Sequence, residues 1–174
     1  MHKKISLQTD FQKFVDHEYT HSINHCLGGG KKEQPIYSDY GGLPKTYVHA
    51  NTIIFQEFWD TTQCDFEDFG KQLNMEVVTV SSIMQPPGCV IPLHNDTFFQ
   101  IKKRYPDRKE TMVRANIFCE NWKHGHFLQY NSTVDSNWKQ GQGHMWDSEV
   151  LHIGANVGME NKYTLQVSGF LNGS

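Results

Sequence analysis

The segment PPGCVIPLHNDT, residues 86–97, decides how this chain is read. Pro86, Pro87 and Gly88 form a turn signal, Val90, Ile91 and Leu93 favour extended backbone, and Asn95 to Thr97 closes the run. The stretch is therefore expected to be a short strand ending at His94. Side chains two apart on extended backbone point to one face, which sets His94 and Asp96 together at the strand's end. One H-x-D in a chain with ten histidines is weak evidence by itself. Its weight comes from His152, which lies far along the chain in another segment of strand character. Two imidazoles and a carboxylate on a rigid β framework are the donor set of the facial triad. That arrangement holds Fe(II) and leaves coordination positions open.

Outward from this segment the chain reads as short strands separated by turns: 76–84, 89–94, 111–120, 126–130, 143–147, 150–157 and 162–170. Seven such segments behind an N-terminal part with helical patterning predict a sandwich or barrel with helices on one side. Phe11, Val15, Tyr19, Ile23 and Cys26 share one helical face, so residues 10–27 are expected to be a helix. Thr9 or Asp10 would cap it and Gly28–Gly30 would stop it. Thr46–Phe55 is expected to be a strand and residues 64–73 a second helix. The irregular piece 97–110 exceeds ordinary loop length, as lids and binding loops do.

Composition sets the outer bounds. The 13% aromatic share needs a packed core, and 174 residues suffice for one domain over 1–174. Residues 1–75 would be helical and strand support, and 76–174 the core. A net charge of -3 gives no general case for binding nucleic acid or membrane. No apolar run is long enough to span a bilayer, and the start, MHKKISLQTDFQKF, has no apolar signal-peptide core. Cys26, Cys64, Cys89 and Cys119 form no C-x-x-C pair, which suits reduced thiols and a cytoplasmic setting.

A second metal pattern competes. His17, Glu18 and His21 make H-E-x-x-H, the arrangement by which a helix offers zinc ligands and a catalytic glutamate. On a helix, however, His17, His21 and His25 would follow one ridge, mostly away from the apolar face. Three ligands around a tetrahedral ion normally need a second segment. A polar helix face is the plainer reading, and a zinc hydrolase is the competing one.

The residues PPGCVIPLHNDT, then VRANIF (113–118), then WKQGQGHMWDSEVLHIGANVGMENKYTLQVSGF (138–170), resemble the Fe(II)/2-oxoglutarate-dependent dioxygenases. The nearest branch is the aspartyl/asparaginyl β-hydroxylase group. The resemblance implies a double-stranded β-helix (jelly-roll) domain, mainly β, with N-terminal helices packed on one sheet. It implies His94, Asp96 and His152 as Fe(II) ligands and as the catalytic centre, with 2-oxoglutarate and O2 as co-substrates. Lys162 and Thr164 match the R-x-S pair that holds the far carboxylate of 2-oxoglutarate, with Lys in place of Arg. Arg114 and Asn116 match an Arg-x-His pair that contacts the co-substrate, with Asn in place of His. Lys changes a bidentate fork into a point charge.

The implied activity is hydroxylation of an amino acid, free or in a peptide, so a small-molecule or peptide substrate is expected as partner. A non-enzymatic jelly-roll binding module is the alternative without iron. Lys102, Lys103, Arg104, Arg108 and Lys109 could draw an acidic substrate or be a solvated loop. Trp122, Trp138 and Trp146 could line a substrate mouth or belong to the core.

Overall fold

A computed structural model describes residues 1–24, 35–49 and 51–173. Its strands are β1 (His2–Ser6), β2 (Ser22–Asn24), β3 (Ile53–Trp59), β4 (Met75–Gln85), β5 (Val90–His94) and β6 (Met112–Phe118), followed by β7 (His126–Tyr130), β8 (Thr133–Asp135), β9 (Gln142–Trp146), β10 (His152–Asn156) and β11 (Lys162–Leu171). They build two antiparallel sheets, one ordered β1-β9-β6-β11-β4-β3-β2 and one ordered β5-β10-β7-β8. This is the jelly-roll sandwich expected from the sequence. The α-helices among the described residues are α1 (Gln12–Val15), α2 (Lys45–His49), α3 (Phe66–Leu73) and α4 (Phe99–Arg104). No described helix is long and apolar enough to cross a membrane.

Period-2 alternation gives the large sheet two different faces. Val113, Ala115 and Ile117 of β6, Met145 of β9 and Leu165 and Val167 of β11 point outward, where they form one core with Leu7, Phe11, Phe14, Phe69 and Leu73. The main apolar core thus lies between the large sheet and the N-terminal segments. That burial frees the opposite face, toward the small sheet, to carry polar side chains. Arg114 and Asn116 of β6 and Lys162, Thr164, Gln166 and Ser168 of β11 stand there in register, Gln166 opposite Asn116 and Ser168 opposite Arg114. Phe118, Leu128, Tyr130, Trp138, Trp146 and Val150 fill one part of the space between the sheets.

Three expectations need correction. Within the described residues 10–24 the helix expected over 10–27 is one turn, α1, and β2 follows it. The periodicity was genuine, but β3 takes over the backbone beyond Tyr19. Thr20 and His21 donate their N–H groups to the Glu57 carboxylate at 3.1 Å each, and the His21 carbonyl accepts from Gln56 N–H at 2.9 Å. The His17 ring packs on Trp59 with centroids 5.0 Å apart. Tertiary pairing therefore overrides helical propensity. The stop at Gly28–Gly30 lies outside the described residues, as do His25 and Cys26. The strand over Thr46–Phe55 splits into α2 and the start of β3. Pro44 precedes that helix and accepts Tyr47 N–H at 2.9 Å, so the first part closes a turn while Ile53–Phe55 extends. The irregular piece 97–110 contains α4, docked by Phe98 and Ile101 against Val78 and Phe170.

Candidate metal centre

The small sheet brings the two histidines together by register. His94, the last residue of β5, pairs directly with His152, the first residue of β10, and Tyr130 of β7 is His152's other cross-strand neighbour. Pro92 is tolerated in β5 because β5 is an edge strand with no ladder to donate to on its outer side. Beyond His94, Asn95 donates its side-chain amide to Ser148 O at 2.8 Å, which pins the turn to the segment before β10. Asp96 is thereby held beside both rings. One ligand atom from each of His94, Asp96 and His152 lies within 4.8 Å of the others, and all three residues are buried.

Hydrogen bonds set which ring nitrogen is offered. His94 Nδ1 lies 2.8 Å from Pro92 O, and His152 Nδ1 lies 3.0 Å from Val150 O. A carbonyl acceptor requires the proton on Nδ1, which leaves the Nε2 lone pair of each neutral ring for a metal. Burial pushes the His152 pKa down, against the nearby Asp96 carboxylate that pulls it up. A neutral ring is the form that ligates. His152 Nε2 is 3.9 Å from Asp96 Oδ2, so the donors converge on one region.

The large sheet supplies the support around these three side chains. Asp96 Oδ1 accepts from Arg114 Nη1, and Asp96 Oδ2 accepts from Trp146 Nε1 at 2.7 Å. Arg114 Nε donates onward to Ser168 Oγ at 3.0 Å, which fixes the guanidinium. The Trp146 ring also lies against His152, with centroids 4.4 Å apart. Trp146 is therefore both core and orienting donor, a role its aromatic character alone did not reveal. Trp146→Phe keeps the ring but deletes the N–H. It is expected to weaken metal binding about 10- to 100-fold with the fold intact, read by anaerobic metal titration beside a thermal melt.

Each remaining site residue from the sequence faces the same interior. Lys162 is 3% exposed, and its Nζ donates to Gln85 Oε1 at 3.1 Å and to Phe127 O at 3.0 Å. Among the described residues no carboxylate pairs with it. Burial pushes its pKa down to about 7, opposed only weakly by Cys89. Gln85 in turn donates to Gly154 O at 3.2 Å, so the amine sits beside β10, two residues along from His152. A Cβ built at Gly154 would stand 3.7 Å from Lys162 Nζ. Thr164 is buried next along the same wall, and Asn116 Oδ1 is a buried side-chain oxygen with no hydrogen-bond partner. Arg114 instead engages Asp96. Gln85 and Asn95 were missed: Asn95 is the unspecified middle position of H-x-D and Gln85 stands outside the motif, and their partners lie far along the chain.

The zinc pattern is not assembled. Residues 16–21 are not helical, so His17 and His21 do not share a helix face. His94, Asp96 and His152 are the one potential metal-holding group among the described residues. The chemistry of that group fits a divalent transition metal: two neutral imidazoles and one supported carboxylate.

No protein-family model matches the chain, and no curated protein sequence matches it. Solved structures do resemble its fold. A prolyl-4-hydroxylase from Pseudomonas putida aligns over 94% of this chain and 97% of its own, with 16% identity and a TM-score of 0.51. A predicted oxalate decarboxylase from Thermotoga maritima covers 68% of this chain and 82% of its own at 15% identity and a TM-score of 0.44. The cupin domain of a transcriptional regulator from Enterobacter cloacae covers 67% and 96%, at 10% identity and a TM-score of 0.41. The likeness to the prolyl-4-hydroxylase, at 16% identity, is one of fold alone.

Proposed function

We propose that the protein is an Fe(II)- and 2-oxoglutarate-dependent oxygenase that hydroxylates an amino acid, free or within a peptide. The observation that carries this reading is the convergence of His94 Nε2, His152 Nε2 and the Asp96 carboxylate, held by second contacts from the opposite sheet. A facial triad leaves positions for a chelating keto acid and for O2. The buried, carboxylate-free Lys162, two residues along β10 from His152, offers the far end of a short dicarboxylate a counter-charge. The overall reaction converts substrate C–H, 2-oxoglutarate and O2 into substrate C–OH, succinate and CO2.

The division of labour follows from these contacts. When bound, Fe(II) with the keto acid and O2 supplies the oxidising power for an unactivated C–H bond. His94, Asp96 and His152 fix the site of that chemistry, and Arg114 and Trp146 keep the Asp96 carboxylate turned toward it. Lys162, Thr164 and Asn116 line the wall on which the co-substrate would lie. The buried surroundings exclude water, which protects a reactive centre from side reactions.

The test is anaerobic addition of Fe(II) and 2-oxoglutarate, watched by visible absorption, followed by O2 and a screen of amino acids and peptides for stimulated succinate release. Formation of an Fe(II)–2-oxoglutarate charge-transfer band and substrate-stimulated succinate are the expected results. Failure to bind or consume 2-oxoglutarate at any iron concentration would refute the reading and favour a binding module on the same fold.

A further inference from the structure

Helix α4 begins three residues after the ligand Asp96, and its two faces differ in kind. Phe98 and Ile101 are buried with the half-buried Tyr105 against Val78, Phe170 and Met112. Phe98 holds its backbone in the left-handed region, with φ of 51°, although it is an aromatic residue. Its ring lies 5.6 Å from the guanidinium of Arg114, the residue that holds Asp96. The helix is therefore anchored at the edge of the metal centre.

The outward face carries Phe99, Lys102 and Lys103, three and four residues apart and so side by side. Phe99 is 59% exposed, and Lys102, Lys103 and the adjoining Arg104 are exposed as well. None of these three cations has an ion-pair partner among the described residues. Two of the nearby acids, Glu76 and Glu110, are committed to Arg108. Arg108 binds Glu76 through Nη1 at 2.8 Å and Glu110 through Nη2 at 2.8 Å. Residues 97–110 hold five cations against two acids, while the whole chain carries -3. Phe99 sets a large exposed aromatic ring beside those charges.

We propose that this face of α4 is where the substrate docks, and that the substrate is an acidic peptide segment with an apolar side chain among its carboxylates. The proposal rests on the oxygenase reading for what happens after docking. Carboxylates would meet Lys102, Lys103 and Arg104, and the apolar side chain would lie on Phe99. A polyphosphate strand fits less well. Its repeated charges need an extended basic track, whereas the chain outside this segment is net acidic.

The test uses the full-length protein without added metal and a fluorescein-labelled peptide of about ten residues, Asp and Glu around one Leu, read by anisotropy. Controls are the same peptide with Lys for every acid and a single-stranded oligothymidylate of equal charge. The wild type is expected to bind the acidic peptide, to ignore the Lys version, and to lose affinity as salt is raised to about 0.5 M. Lys102→Glu with Lys103→Glu is expected to weaken binding about tenfold or more, Lys102→Gln with Lys103→Gln less, and Phe99→Ala also measurably. Thermal melts check that each variant folds. Equal affinity in all variants, or no binding of the acidic peptide, overturns the docking surface; tighter binding of the oligonucleotide overturns its peptide character. Because anisotropy needs neither iron nor 2-oxoglutarate, docking without any succinate formation would sink the oxygenase reading alone. Succinate formation with no docking would sink this inference alone.

Discussion

His94→Ala, Asp96→Ala and His152→Ala are each expected to abolish stoichiometric Fe(II) binding, a loss beyond the roughly 10- to 100-fold that outer contacts control. Three ligands are the whole protein contribution in a facial site, and no fourth His, Cys, Asp or Glu joins this group among the described residues. The three variants should differ in stability. Removing either imidazole leaves a neutral carbonyl, Pro92 O or Val150 O, without its ring donor. Removing Asp96 strands the partly buried Arg114 guanidinium and the Trp146 N–H together, and an unpaired charge costs more than an unpaired carbonyl. Asp96→Ala should thus show the lowest melting temperature as well as no metal. The double variant His17→Ala, His21→Ala should bind Fe(II) like wild type, because those rings stand outside the group. Anaerobic calorimetric titration separates the cases. Retention of metal by the triad variants together with its loss in the double variant would restore the zinc-hydrolase reading.

What was legible in the sequence was local. The H-x-D ligands could be read because a strand's period of two fixes their relative direction without knowing its neighbours. The seven strands read from Glu76 onward all occur, most of them runs rich in β-branched or aromatic residues ended by turn formers. What escaped needed register. That Trp146 serves Asp96 depends on β6 pairing with β9, Arg114 opposite Trp146, and on the small sheet lying over both. The contact from Gln85 to Lys162 depends equally on β4 pairing with β11. Strand β1 was missed for a further reason. Ile5 is the one apolar residue in HKKIS, and Lys3 and Lys4 make it look like a polar terminus, as charged edge strands do. Residues 16–24 show the opposite failure: a real helical period lost to the Glu57 carboxylate and to backbone pairing with β3 that no local pattern announces.

Lys162→Met is expected to cost 2-oxoglutarate most of its affinity, roughly 2–5 kcal/mol, while leaving Fe(II) binding unchanged. Methionine fills much of the same space, so the loss reports charge and not a cavity. The same substitution should make the protein without co-substrate more stable, and the sign follows from linkage. Burial lowers the folded-state pKa of Lys162 from 10.5 to about 7. Between those values the unfolded chain holds a proton that the folded chain has released, so stability rises with pH across that window. Below about pH 7 the buried cation is present in full, and its cost is on the order of 4–5 kcal/mol. Lys162→Met should therefore melt above wild type at pH 6, with the gap closing as pH approaches 10. A bound dicarboxylate reverses this, because it supplies the missing counter-charge and holds the proton on Nζ. Above pH 7 each binding event must then take up a proton, and 2-oxoglutarate affinity should fall about tenfold per pH unit in wild type. The variant should show no such slope. Anaerobic titrations of the Fe(II)-loaded protein with 2-oxoglutarate across pH 6.5–9, beside thermal melts over the same range, measure both effects. A flat affinity profile in wild type with an unchanged dissociation constant in Lys162→Met would remove Lys162 from the co-substrate wall and shift the anchoring role to Arg114.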